Sequence, residues 1–197
     1  MIDKHSRPRL SYRVARPEDY PLLVQLRVEC NWGVPDLERG WTNPNRVYCV
    51  FELASEEGES EDVGMGCWVL EEDEPDVASR QTKSVHIAAL FIRHKYQGQG
   101  FGSKAIQILE SVAVDKYDAQ WVTLDTTAYH CEFSPDGLTG TEDFSRPGKN
   151  VAWYNKNGYV KFKENRPAYL HPLFGRPDYL LTAIYLRKPA SAVKSRN

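Results

Sequence analysis

Three glycines at alternate positions form the segment of this chain best suited to binding an anion. They lie in QGQGFG, residues 97–102, directly after the apolar run 84–92 and directly before residues 100–116, whose apolar side chains recur with a helical period. Such a turn brings the backbone close to a phosphate, and unpaired N–H groups at the helix start point at its oxygens. No Walker lysine and hydroxyl pair follows, which disfavours a nucleoside-triphosphate site. A tight turn without a ligand is the alternative.

The glycine segment resembles the signature of the GNAT superfamily, the acyl-CoA-dependent N-acyltransferases. That signature is Gln/Arg-x-x-Gly-x-Gly/Ala, placed between the fourth strand and the third helix, and Gln97, Gly100 and Gly102 match it. Ile92 stands five residues before Gln97, where the family usually has an aliphatic residue. The order of the elements along nearly the whole chain also resembles the family's layout.

The resemblance implies that acetyl-CoA is the co-substrate. It implies a sheet whose fourth and fifth strands separate, so that the backbone at Phe91 and Ile92 pairs with the pantetheine arm and residues 97–102 hold the diphosphate. If the strands separate, the peptide near Leu90 loses partners on one side, and the thioester oxygen meets a backbone N–H there. The residues expected to bind the coenzyme are Leu90, Phe91, Ile92, Gln97, Gly98, Gln99, Gly100, Phe101, Gly102, Lys104, Asn150 and Tyr154.

Three basic residues near the glycines leave two interpretations open. Lys104, Arg93 and Lys95 either add positive charge near the coenzyme's phosphates or belong to an ordinary solvated surface.

A second stretch, residues 150–159, resembles the family segment in which a tyrosine precedes a glycine by four residues. Tyr154 and Gly158 have that spacing. The resemblance implies that the Tyr154 hydroxyl lies near the coenzyme sulfur and protonates the departing thiolate, a reasonable task for a phenol of pKa about 10. Asn150 departs from the pattern, because the family's frequent asparagine lies about seven residues before the tyrosine. A core aromatic on a short helix is the alternative for Tyr154.

Acylation of an amine also needs a group that removes a proton, because an ammonium has no lone pair. His86 lies eleven residues before Gln97, where some members of the superfamily place a Glu or His with this role. An imidazole with a pKa near 6.5 suits the task. A hydrogen-bonded core histidine is the alternative.

The expected fold is an α/β (α+β) domain with a mixed, mostly antiparallel sheet of six to seven strands flanked by helices. One domain spans residues 1–197, with an ordered core over about 10–188. The Pro- and Gly-rich residues 129–148 are expected to form an irregular insertion. Residues 166–177 are expected to form an aromatic loop between the last two strands, and 189–197 a frayed tail.

Composition narrows the class of protein. The 197 residues carry a net charge of −2, with eleven acids and no Lys or Arg within residues 52–76, so the remainder carries about +9. No basic stripe suggests nucleic-acid binding, and no apolar run is long enough to cross a membrane. Four widely spaced cysteines and a polar start favour a cytoplasmic protein without a metal site. Either a monomer or a homodimer is compatible with the sequence.

The acceptor is expected to be a small molecule with a primary amine, held in an aromatic pocket and acetylated by direct attack in a ternary complex. A protein lysine or N-terminal acetyltransferase is the alternative, and a non-catalytic acyl-CoA-binding module is a further one. In this family the acceptor contacts loops after the first helix, at the end of the fifth strand and before the last strand. The residues expected there are Trp32, Asp125, Tyr129, Glu132 and Tyr169.

Overall fold

A mixed sheet forms the centre of the computed structural model, which describes residues 9–31, 33–54, 60–133, 140–170 and 180–194. Within those ranges the strands are β1 (Leu10–Val14), β2 (Arg46–Ala54), β3 (Ser60–Val69), β4 (Ser84–Ile92), β5 (Trp121–Thr127), β6 (Tyr129–Phe133), β7 (Gly140–Pro147), β8 (Val160–Leu170) and β9 (Leu180–Pro189). Seven of them form one sheet in the order β1-β2-β3-β4-β5-β9-β8. Only β4 and β5 pair in parallel. The expected mixed, mostly antiparallel sheet is confirmed.

Helices cover both faces of this sheet. They are α1 (Tyr20–Cys30), α2 (Val34–Trp41), α3 (Phe101–Tyr117), α4 (Val151–Lys156) and α5 (Ala190–Lys194). Helix α3 buries its apolar stripe, including Ile106 and Leu109, in one core cluster. On the opposite face, Leu23 and Leu26 of α1 pack with Leu37 of α2 in a second cluster. Side chains alternate between faces along a strand, so β2, β3 and β4 each contribute to both clusters.

Strands β4 and β5 separate partway along their length. Their pairing runs from Ser84 opposite Trp121 to Ile87 opposite Leu124 and then stops, although β4 continues to Ile92. On its other side β4 stays paired with β3 across an irregularity in register. The expected opening between the fourth and fifth strands is therefore present.

The separation coincides with a strained residue. Ala89 has a φ of 54°, a left-handed conformation that is uncommon for residues other than glycine. It lies in the β4 segment that bulges against β3 between the Cys67–Ala88 and Met65–Phe91 pairs. An extra residue at a bulge bends its strand, which accounts for the divergence of β4 from β5.

Three expectations about irregular segments were wrong. Within residues 129–148, β6 and β7 pair as an antiparallel two-stranded sheet. Strand β8 continues to Leu170, through part of the expected aromatic loop; residues 171–179 lie outside the described residues. The tail begins with α5, which is anchored because Ala190 and Val193 are buried in the same core as α3. A short apolar pair on one helical face was enough to dock this segment.

Candidate active site

The β4–β5 opening leads into a cavity of about 720 Å³. Its walls come from α1, α2, the segment after β3, the diverging strands, and α4. The residues that matter for the chemistry are Arg27, His86, Leu90, Asp125, Asn150 and Tyr154, all of which line this one cavity. Volumes of 300–1,000 Å³ are typical of sites for small molecules.

His86 is held on the cavity wall by two hydrogen-bond partners on β5. Its Nδ1 lies 3.0 Å from Thr123 Oγ1, and its Nε2 lies 3.1 Å from Asp125 Oδ1. The Thr123 hydroxyl donates its proton to the Val77 carbonyl at 2.6 Å, so it accepts from His86. Nδ1 therefore carries a hydrogen, and Nε2 faces the Asp125 carboxylate, with which it can exchange a proton. His86 and Asp125 form a proton-sharing pair.

Tyr154 projects from α4 into the same cavity. The Tyr154 ring packs edge-on against Trp153 and Tyr159, with centroid separations of 4.8 and 5.9 Å. Burial, and secondarily the negative charge of Asp125, raise the pKa of the Tyr154 phenol. The hydroxyl is thus kept protonated, which is the state that a general acid requires.

The glycine segment forms the turn that starts α3. Gly98 and Gly100 have φ values of 75° and 85°, and Gly100 is the N-cap of α3. A β-carbon at either position would have no atom within 4 Å, so glycine is needed here for backbone conformation and not for space. Gln97 steadies the turn by donating from Nε2 to the Ile92 carbonyl at 2.8 Å.

The amides of this turn are available to a ligand. In the described part of the chain, the backbone N–H groups of Gly98, Gln99 and Gly100 donate to no backbone acceptor. The first N–H groups of α3 follow directly, so one short stretch presents several donors and the positive end of a helix. Gly102 lies beside α4, since a β-carbon there would be 3.7 Å from Trp153 Cζ2. The turn therefore adjoins the helix that carries Tyr154.

The backbone of β4 offers a second set of groups. Beyond Ile87, its β5-facing side has no strand partner within the described residues. Leu90 and Ala89 line the cavity there, while the side chains of Phe91 and Ile92 are buried. An extended ligand with amide groups would complete this open edge as an additional strand does.

Comparison with known proteins identifies this arrangement. Residues 11–133 match the model of the acetyltransferase (GNAT) family. The chain belongs to that family. No curated protein matches the chain by sequence at a significant level.

Solved GNAT acetyltransferases share the fold of this chain at low sequence identity. One is a spermidine N-acetyltransferase from Vibrio cholerae in complex with CoA and spermine, 12% identical over 94% of this chain and 98% of that one, with a TM-score of 0.62. Another is the same enzyme as a dodecamer in an intermediate state, with 12% identity, 95% and 98% coverage, and a TM-score of 0.62. At this identity the likeness concerns the fold.

The three basic residues near the glycine turn of this acetyltransferase differ in whether their charge already has an acidic partner. Arg93 binds the Glu29 carboxylate at 2.8 Å and the Asp62 carbonyl at 3.1 Å, and Lys95 is paired with Glu61. Lys104 lies over the Phe101 ring at 5.4 Å and has no acidic partner among the residues described. Of the three, Lys104 is the one whose charge is available to a phosphate.

The expected acceptor residues are not all brought together. Asp125 lines the cavity. Glu132 is exposed and paired with Arg146 at 3.3 Å, and Tyr129 packs on Phe144 with ring centroids 4.9 Å apart; neither lines the cavity. Trp32 lies outside the described residues, and Tyr169 is described only as a backbone position of β8.

Sequence reasoning missed three residues of this site. Thr123 fixes the His86 ring, and Ala89 carries the bulge that opens the sheet. Arg27 is buried on the apolar helix α1, yet it reaches the cavity. A lone arginine among the apolar residues of α1 was the available signal, although many such arginines are structural.

Two features are absent from the described residues. No helix in them has both the length and the apolar character needed to cross a bilayer. In the same ranges, no three His, Cys, Asp or Glu side chains are grouped so that they would hold a metal ion.

Proposed function

We propose that this chain transfers the acetyl group of acetyl-CoA to the primary amine of a small molecule. The observation that carries the proposal is the meeting of three features at one opening: the unpaired edge of β4, the buried Tyr154 hydroxyl and the His86–Asp125 pair. A cavity of about 720 Å³ supports a small acceptor over an extended peptide.

The backbone holds the coenzyme in this proposal. The N–H groups at Gly98 to Gly100 and at the start of α3 bind the diphosphate, and Lys104 adds a positive charge nearby. The open edge of β4 pairs with the pantetheine amides. A backbone N–H near Leu90 then donates a hydrogen bond to the oxyanion that develops on the thioester carbonyl, a contact commonly worth about 3 kcal/mol of barrier.

Two side-chain groups manage the protons. The His86–Asp125 pair, with Nε2 of His86 unprotonated, removes a proton from the acceptor ammonium. The neutral amine attacks the thioester carbonyl carbon, forming the C–N bond as the C–S bond breaks. Tyr154 donates its hydroxyl proton to the departing sulfur, and the proton that the attacking nitrogen loses on becoming an amide restores the neutral phenol. Transfer is direct, with no acyl-enzyme.

Release of free thiol tests the proposal. The protein is incubated with acetyl-CoA and a panel of amines, amino acids and N-terminal peptides, with boiled protein as the blank. Thiol release that depends on a small amine, together with a mass gain of one acetyl group on that amine, is expected. Release with peptides alone, or acetyl-CoA binding without any transfer, would contradict it.

A further inference from the structure

The cavity contains one buried charge that the acetyl-transfer mechanism does not use. Arg27 on α1 is only 7% exposed. Over the ranges that the structure describes, its guanidinium has neither a hydrogen bond nor an ion pair. Taking a charge out of water without a partner is costly, so such a group is unusual in a folded protein.

Local backbone makes room for this guanidinium. Gly33, between α1 and α2, has a φ of 72°, and a β-carbon there would collide with Arg27 Nη2. Glycine at position 33 therefore leaves space for the Arg27 guanidinium, which a side chain at that position would displace. Arg27 lines the cavity that also contains His86 and Tyr154.

Of the five acids that line the cavity, all but Asp73 are already engaged by partners within the described residues. Glu72 binds Arg46 at 2.5 Å, and Asp125 is 3.1 Å from His86. Asp36 is paired with Arg39, and Glu74 with Lys163. Glu29, two residues from Arg27, is taken by Arg93 at 2.8 Å. The acidic lining is thus largely neutralised by partners of its own, while Arg27 is not.

We propose that Arg27 binds the carboxylate of the acceptor, so that the substrate is an amino acid or a similar compound with both an amine and a carboxylate. The inference rests on the proposed acetyl transfer and names its substrate class. A guanidinium is opposite in charge to a carboxylate and can donate two parallel hydrogen bonds to its two oxygens. With the amine at His86 and Tyr154, both charged groups of such a molecule meet residues that line one cavity. A polyamine, which carries only positive charges, would be repelled by Arg27.

The first test uses the unaltered protein. The value of kcat/KM is measured for the twenty L-amino acids, for the carboxamide of each, and for spermidine. Since a hydrogen-bonded charge pair is lost in the amide, the best acids should exceed their amides by about 10- to 100-fold. Amides or spermidine that react as well as every acid would overturn the proposal.

The second test uses Arg27→Gln, with Arg16→Gln as the control that removes one positive charge from an exposed side chain outside the cavity lining. Arg27→Gln should abolish the preference for acid over amide by raising KM for the acid while amide kinetics are kept. Arg16→Gln should keep the preference. An equal loss for acids and amides in Arg27→Gln would show a structural role and contradict the proposal.

A binding measurement separates this inference from the proposed function. Calorimetry is carried out with CoA-loaded protein and two series of probes, the N-acetyl amino acids and their amides. Acid-specific binding that Arg27→Gln removes supports the carboxylate site even if no acceptor releases thiol, in which case acetyl transfer is the part that fails. Thiol release from amines without acid-specific binding leaves acetyl transfer standing and overturns the carboxylate site.

Discussion

The two halves of the proposed site, one for the coenzyme and one for the acceptor, are built from different parts of the polypeptide. On the coenzyme side, the glycine turn and the open edge of β4 present backbone N–H and C=O groups. On the acceptor side, α1, α2 and β5 present side chains such as Arg27 and Asp125. A backbone site depends on conformation and suits a coenzyme common to a family, whereas a side-chain site is free to differ between members that share one fold.

We expect the largest effect on turnover from replacing Tyr154, the proton donor between the two halves. Tyr154→Phe should lower kcat by about 10²- to 10³-fold, because the leaving thiolate loses its general acid. Acetyl-CoA affinity should change less than about twofold. Steady-state thiol release and calorimetry measure the two quantities. Tyr117→Phe, which alters a half-buried tyrosine of α3 that packs on Trp68, is the control and should keep full turnover. Equal turnover of Tyr154→Phe and the control would remove the acid role.

We expect the next-largest effect on turnover from replacing the proton-accepting pair, His86 and Asp125. His86→Ala should lower kcat by about 10²-fold. It should also flatten the acid arm of the pH–rate profile, because the base that accepts the proton of the ammonium is then absent. Asp125→Asn should alter the same arm. If the residues act as one unit, the double variant should be no slower than the slower single variant. An unchanged profile in both single variants would assign proton removal elsewhere.

Two substitutions in the glycine turn distinguish the effect of charge from the effect of backbone conformation. Gly100→Asp should weaken acetyl-CoA binding by about 30-fold, or ~2 kcal/mol, because a carboxylate would face the diphosphate. Gly100→Asn has nearly the same shape and tolerates the positive φ of 85° about as well, so it should lose much less. Calorimetry compares the two. The same loss in both variants would mean that the turn binds no phosphate.

The basic residues beside the turn should give a smaller effect. Lys104→Gln should weaken acetyl-CoA binding by about two- to fivefold, as expected for one exposed charge near phosphates. Lys95→Gln should change it less than twofold, because Lys95 is paired with Glu61. The two affinities, measured at low and high salt, check the ranking. A greater loss for Lys95→Gln would reverse the assignment.

The smallest effect concerns alkaline pH. The pKa of Tyr154 is raised by burial and by Asp125, and the neutral phenol is the form that donates. Its contribution is present at low pH and is lost only as pH rises through that elevated pKa. Turnover should therefore show no decline attributable to Tyr154 up to about pH 10, the ordinary pKa of tyrosine. A decline that begins well below pH 10 and is absent in Tyr154→Phe would contradict the assignment.

Much of the coenzyme half was predictable because its signals are local. Glycines bounded by an apolar strand and an amphipathic stripe specify a turn wherever they occur, and β4 has the bounds expected from its apolar run. The bulge at Ala89 was not predictable, because an alanine gives no sequence signal for a φ of 54°. It arises from pairing with β3, a long-range interaction.

The acceptor half was less predictable for the same reason. Arg27 and Asp125 are 98 positions apart in the sequence, and only the folded sheet places them around one cavity. Loop aromatics and acids were expected to face the acceptor, but Glu132 has an ion pair on the surface. Charge alone does not indicate which acid faces a ligand when neighbouring bases neutralise most of them.

A structure of the protein with acetyl-CoA is the most direct test of the account. The account predicts the diphosphate on the N–H groups of residues 98–102, the pantetheine along the open edge of β4, and the sulfur within hydrogen-bonding distance of the Tyr154 hydroxyl. Coenzyme bound outside the β4–β5 opening, or with its sulfur far from Tyr154, would contradict it.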